Sequence, residues 1–169
     1  YAVPLLLVAS PGMSATRGLD VRDLVSLDRV SAPVLNAEGS MLLYSLREVA
    51  GDDYKAVNNL YLRPVDAEGK AKQLNPTGVS VSSASFSPDA STVFFLSAAS
   101  GSNQIWAVPS KGGRAKQVSD YPLDVGSYRF SPDGQRVAVS FAVFAECAAD
   151  LACSARRFAA QPVSSGRKF

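Results

Sequence analysis

Few residues of this chain could do chemistry by themselves. Cys147 and Cys153 lie six apart in Glu146-Cys-Ala-Ala-Asp-Leu-Ala-Cys153, and the 169 residues include no histidine. Without an imidazole, the Ser-His-Asp and Cys-His arrangements have no base. No Gly-x-Ser-x-Gly nucleophile elbow occurs, and Lys111-Gly-Gly-Arg114 lacks the length and following helix of a phosphate-cradling loop. Two thiolates fall short of the four ligands that zinc takes. The cysteines could therefore close a small disulfide loop, stay as free structural thiols, or act as a redox pair. A continuous helix would separate them by about 9 Å along its axis, beyond the roughly 7 Å that a bridge tolerates, so a disulfide requires the segment to loop. Asp150 in its middle favours that turn. The carboxylates Asp20, Asp23, Asp28, Asp52 and Asp53 cluster only in sequence, where a solvated face or a helix cap explains them. The expectation is a chain with no catalytic residue, metal site or cofactor of its own.

The framework that must hold these residues is repetitive. Three stretches rhyme: Ala32 to Gly39, Ala84-Ser-Phe-Ser-Pro-Asp-Ala90, and Tyr128-Arg-Phe-Ser-Pro-Asp-Gly134. Each is an apolar strand end, a Ser-Pro-Asp-Gly turn or a worn form of it, and a second apolar run. Ser131 follows Ser87 by 44 residues, and Ser87 follows Asn36 by 51, a period typical of β-propeller blades. The second half repeats as well: Leu60-Tyr61 matches Ile105-Trp106, and Ala71-Lys-Gln-Leu matches Ala115-Lys-Gln-Val. In the turns Ser87-Pro88-Asp89 and Ser131-Pro132-Asp133-Gly134, proline presets φ and the aspartate bonds the local backbone, so their role is conformational.

The middle unit defines the blade. Val81–Phe86, Thr92–Ser97, Gln104–Val108 and Ala115–Val118 read as four antiparallel strands. The fold class is thus all-β, an incomplete propeller of about two and a half four-stranded antiparallel blades. Blade 1 spans about 32–76, blade 2 about 79–120, and the start of blade 3 about 125–144; an alanine-rich insertion and tail fill 145–169. Blade 1 carries six additional residues near Glu48–Ala56, expected as a solvated loop on one rim. Phe86, Phe94, Leu96, Ile105, Trp106, Phe130, Val137 and Val139 are the expected core between blades. An array that stops mid-blade leaves a strand edge and a face uncovered, so the chain reads as a fragment.

The apolar content of 47% suffices for a core, and a net charge of +2 points to neither nucleic acid nor an anionic membrane. Residues 1–15 open with Tyr1-Ala-Val-Pro-Leu-Leu-Leu-Val-Ala9, too short to span a bilayer, followed by small turn-formers; this reads as the remnant of a secretory signal, or alternatively as a first strand. An exported, periplasmic protein is expected.

Residues 16–31 form a lead-in segment, and there a resemblance emerges. Leu19-Asp-Val-Arg-Asp-Leu-Val-Ser-Leu-Asp-Arg-Val-Ser-Ala-Pro33 resembles the stretch ahead of the first blade in prolyl oligopeptidase-family serine peptidases, in the dipeptidyl aminopeptidase and acylaminoacyl-peptidase branch. The cysteine stretch resembles an insertion in exported bacterial members. The resemblance covers about Leu19 to Arg157 and implies an N-terminal propeller that gates peptide access to a C-terminal α/β-hydrolase domain. The partners implied are that domain, the remaining blades and peptide substrates. No catalytic residue has a matching position here. Some exopeptidases of the family hold the substrate amine with propeller carboxylates, but no motif places that role on Glu48, Asp53 or Glu146. The Ser-Pro-Asp-Gly turns also occur in TolB-type propellers, so a TolB-like periplasmic protein-binding propeller is the alternative.

Overall fold

The computed structural model describes residues 18–50, 54–66, 70–76 and 78–161. The signal-like run Tyr1–Ala15, Asp52, Asp53 and the last eight residues of the tail lie outside them.

A short helix, α1 (Val21–Ser26), leads in. Asp20 caps it by accepting from the Arg22 and Asp23 amides at 2.8 and 3.1 Å, while Asp23 accepts from the Asp20 amide at 2.9 Å. These two carboxylates satisfy helix N–H groups that would otherwise lack partners. Blade 1 follows as β1 (Arg29–Leu35), β2 (Met41–Ala50), β3 (Lys55–Pro64) and β4 (Lys72–Gln73), paired in that order. Its first strand starts at Arg29, inside the stretch read as a lead-in. Blade 2 repeats the order with β5 (Val81–Phe86), β6 (Thr92–Ser97), β7 (Gln104–Pro109) and β8 (Lys116–Gln117). The third sheet pairs β9 (Val125–Phe130) with β10 (Val137–Phe141). A 3₁₀ turn at Ala145–Cys147 and helix α2 (Leu151–Ala160) follow. The architecture is an incomplete propeller: two four-stranded antiparallel blades and the opening hairpin of a third.

The sheets stack through alternation. Along β6, Val93 and Phe95 join Leu43, Leu60 and Leu62 in the core between blades 1 and 2. Phe94 and Leu96 turn the other way and meet Val125 and Tyr128 of blade 3. A strand covered on both faces is apolar throughout, which is why Thr92–Ser97 shows no polar alternation. Ile105 and Trp106 divide in the same manner.

Three expectations need correction. The described part of the addition to blade 1 is strand rather than loop: Val49 pairs with Ala56 and Ala50 with Lys55, so the hairpin projects past that of blade 2. The fourth strands are two residues each, shorter than the Ala115–Val118 run suggests. Val137, expected in the core, is 42% exposed. It lies on β10, whose outer side no described strand pairs, whereas Leu96 and Ile105 are buried and Phe86, Phe94, Trp106, Phe130 and Val139 half-buried.

All three first strands carry an irregularity near the same place. The register shifts between Ser31 and Val34, between Ser82 and Ser85, and opposite Ser140/Phe141, where Gly126 is skipped. Ala32 and Ser83 take left-handed conformations there, with φ of 50° and 52°. Such bulges bend a strand and increase its twist.

Phe95→Ala should destabilise the chain by about 3–5 kcal/mol, against less than about 0.5 kcal/mol for Val137→Ala. Urea unfolding followed by Trp106 fluorescence measures both; equal effects would contradict the assignment of β6 as the doubly covered strand.

Candidate functional site

The Ser-Pro-Asp-Gly turns form one structure in three copies. In each, the first residue's amide donates to the residue five ahead: Asn36 to the Met41 carbonyl, Ser87 to Thr92, Ser131 to Arg136. The amide of the fourth-position residue then donates back, from Gly39, Ala90 and Gly134, at 3.0, 2.9 and 2.9 Å. The first side chain returns the favour across the hairpin: Ser87 Oγ accepts from the Thr92 amide and Ser131 Oγ from the Arg136 amide, both at 3.0 Å. In blade 1, Asn36 Oδ1 does this work, accepting from the Met41 amide at 2.9 Å. Ser87 and Ser131 also donate to Asp89 and Asp133, and those bonds are the main reason both carboxyls sit below the usual aspartate range. Pro88 and Pro132 lead into these turns, and Pro88 abuts Gly134, so the turns of blades 2 and 3 touch. Glycine fits at the fourth position because its φ is +70° in Gly39 and Gly134; Ala90 adopts +55° there and carries the strain.

A second polar device ties each blade to the next. At the foot of blade 1, Asn75 Oδ1 accepts from the Leu60 amide at 2.8 Å while its Nδ2 donates to Asn59 Oδ1 and the Val79 carbonyl. At the foot of blade 2, Ser119 Oγ accepts from the Ile105 amide at 2.8 Å and donates to Gln104 Oε1. Gln104 is fully buried and satisfied; its Nε2 donates to Ser102 Oγ and to the Tyr121 and Leu123 carbonyls. One step outward, the Asn58 amide donates to Ser80 Oγ, and the Asn103 amide donates to Asp124 Oδ1. These latches hold the connector to the following blade. Sequence reasoning missed them, although Asn59/Gln104 and Asn75/Ser119 keep the repeat spacing.

Between blades 2 and 3, the first strands meet at a groove of about 290 Å³ lined by Ser85, Phe86, Tyr128, Arg129 and Phe130. The Tyr128 hydroxyl donates to the Ser83 carbonyl at 2.8 Å and lies 3.1 Å from Ser85 Oγ. Burial pushes its pKa up to about 12, which keeps it a neutral donor and unsuited to act as a base. On the projecting hairpin, Glu48 accepts from Asn59 Nδ2 and from the Tyr61 hydroxyl at 3.1 Å, beside a Tyr44–Tyr61 stack with centroids 5.7 Å apart. Burial first, and the Glu48 bond second, raise the Tyr61 pKa.

Cys147 and Cys153 are joined by a disulfide with Cα atoms 5.6 Å apart. The chain breaks between them at Ala148, whose φ is +47°, so one cysteine ends the 3₁₀ turn and the other lies in α2. Asp150 caps α2 through the Cys153 amide at 2.9 Å. Buried Ser154 accepts from the Phe144 amide, Phe144 packs on Phe158, and Arg157 pairs with Glu146 at 3.5 Å. Among the described residues, no group of three histidine, cysteine or acidic side chains is placed to hold a metal ion.

No protein-family model matches this chain, and no curated protein matches it. Solved structures do. A TolB from Agrobacterium tumefaciens is 23% identical over 62% of this chain and 35% of its own, with a TM-score of 0.52. The acylaminoacyl peptidase of Pyrococcus horikoshii is 19% identical over 69% of this chain and 18% of its own, with a TM-score of 0.54. An acylaminoacyl peptidase in complex with a chloromethyl ketone is 20% identical over 71% of this chain and 18% of its own, at 0.57. The chain thus spans about a third of the TolB and under a fifth of each peptidase. At these identities the likeness is one of fold.

Ala90→Gly should raise stability by roughly 0.5–1 kcal/mol, because glycine relieves the left-handed strain that alanine bears; a lower thermal midpoint would contradict the turn's conformation. Reducing the disulfide, or substituting both cysteines by serine, should release roughly 2 kcal/mol of loop constraint and unprotect α2 selectively. Amide exchange over 151–160 against that of β6 reads this out.

Proposed function

We propose that this chain is a non-catalytic propeller segment of an exported serine peptidase of the prolyl oligopeptidase family. The observation that carries the reading is the combination of an Arg-Val-Ser-Ala-Pro strand, led in by a capped helix, with two successive Ser-Pro-Asp-stabilised blade turns. Fold likeness to two acylaminoacyl peptidases supports it. In the parent, the blades would cover a C-terminal α/β-hydrolase domain and admit only short or unfolded peptides. The partners are that domain, the remaining blades and the peptide substrate; the location is the periplasm. No described helix is long and apolar enough to cross a membrane.

The second reading is a TolB-like propeller that binds envelope proteins, supported by fold likeness to the Agrobacterium TolB. Downstream coding sequence separates the two: a Gly-x-Ser-x-Gly elbow and a late histidine mean peptidase, further blades and a stop mean scaffold.

The purified chain should hydrolyse no aminoacyl or dipeptidyl chromogenic substrate and take no label from a fluorophosphonate, for want of a base to activate a serine. Burst kinetics or covalent labelling would refute this.

A further inference from the structure

We propose that Arg29 and Arg47, at the projecting-hairpin end of blade 1, form a binding site for a carboxylate. Strands β1 and β2 set the two arginines directly opposite each other, and β3 sets Asn58 opposite Arg47. Side chains paired in this way have Cβ atoms about 5 Å apart, so two guanidinium groups there repel. Arg47 shares its face of β2 with Ser45 and Leu43, and Leu43 belongs to the core against blade 2. Arg47 Nη1 is buried and has no hydrogen-bond acceptor among the described residues. Arg47 itself is half-buried, but this one N–H group has lost water without gaining an acceptor, so the site is incomplete as it stands.

The nearby negative charges are engaged elsewhere. Glu48 turns to the opposite face, where Asn59 and Tyr61 donate to it. Arg29 has one weak bond, from Nη2 to the Leu24 carbonyl at 3.4 Å, which steers it without neutralising it. The blade has no need of the pair: 51 residues on, the same positions carry Ser80 and Ala98. One anion bridging the two guanidiniums would supply the missing acceptor and remove the repulsion together.

A carboxylate fits better than a phosphate. Bridging the pair, its two oxygens would each accept from one arginine in a charge-assisted bond. The donors here are side chains on adjacent strands rather than the helix N-terminal or nested backbone N–H groups that many phosphate sites use. The inference rests on blade geometry and holds under either reading of function.

The test uses the whole 169-residue chain. Acetate titrated against chloride at constant ionic strength should shift the Arg47 and Arg29 Nε–H resonances saturably. Nα-acetyl-dialanine should do the same, and its C-terminal amide should not. Arg47→Met, read at the Arg29 Nε–H resonance, should weaken the acetate response at least about tenfold. Arg47→Lys, which keeps the charge without the fork, should weaken it several-fold and serves if the methionine variant does not fold. Absence of a saturable shift, an equal response to the amide, or saturation by inorganic phosphate alone would overturn the proposal. So would an Arg47 resonance that answers only to Asp52→Asn with Asp53→Asn, since the anion would then be the chain's own.

Discussion

The structure depends on blades that bury their faces in one another. No sheet here has a core of its own; Val93 and Phe95 are covered only because Leu43, Leu60 and Leu62 lie across from them, and Leu96 only because Val125 and Tyr128 do. Sheets that interdigitate this way need a constant offset, since a residue's slip in any strand would turn its apolar set to the wrong face. The turn and latch hydrogen bonds fix that offset. They act at opposite ends of the blade: the Ser-Pro-Asp-Gly turn sets β1 against β2 and its equivalents, and the Asn75 and Ser119 latches set the third strand against the connector to the next blade.

This division explains why the polar residues of the repeat are buried without being reactive. Gln104 is fully enclosed, yet both ends of its amide are engaged with Ser102, Ser119, Tyr121 and Leu123. Tyr128 is likewise enclosed and engaged, and burial raises its pKa. Asp89 and Asp133 shift the other way, through serine hydroxyls at exposed turns. For Tyr128 the cause is burial between blades, and for the two aspartates it is hydrogen bonding within the turn itself. The exception is Arg47, whose buried Nη1 joins nothing.

Much of this was legible in the sequence, and what was not has identifiable causes. The turns could be read because proline, aspartate and glycine each restrict φ or bond locally, and β6 because six consecutive residues suit a strand covered twice. The bulges left no mark: Ala32 and Ser83 take positive φ without being glycine or asparagine, so their conformation comes from the blade. The hairpin of blade 1 reads as a loop in sequence because Arg47, Glu48, Asp52, Asp53 and Lys55 make the stretch charged, and on a projecting strand pair composition no longer reports pairing. Val137 follows the β pattern of Val93, yet among the described strands β10 pairs only with β9, and burial depends on what lies beyond the strand. The anion site showed no signal, since Arg29 and Arg47 are 18 residues apart and meet only through register.

The cysteine segment obeys a different logic from the blades. It departs from the repeat just where β10 ends, and its contacts are almost all internal: disulfide, Asp150 cap, Ser154 bond, the Phe144–Phe158 pair and the Arg157–Glu146 pair. A ten-residue helix is marginal in water unless something else restrains it. The disulfide supplies that restraint within six residues, so the segment needs little from blade 3 to hold its shape. What it borders instead is a groove of about 400 Å³, shared by Ala155 and Phe158 with Pro122 and Leu123 of the connector that the Gln104 latch holds. Insertion and connector therefore flank one groove while being fixed independently, the first by a covalent loop and the second by a buried amide, and a change in either can move one wall without unlatching the other.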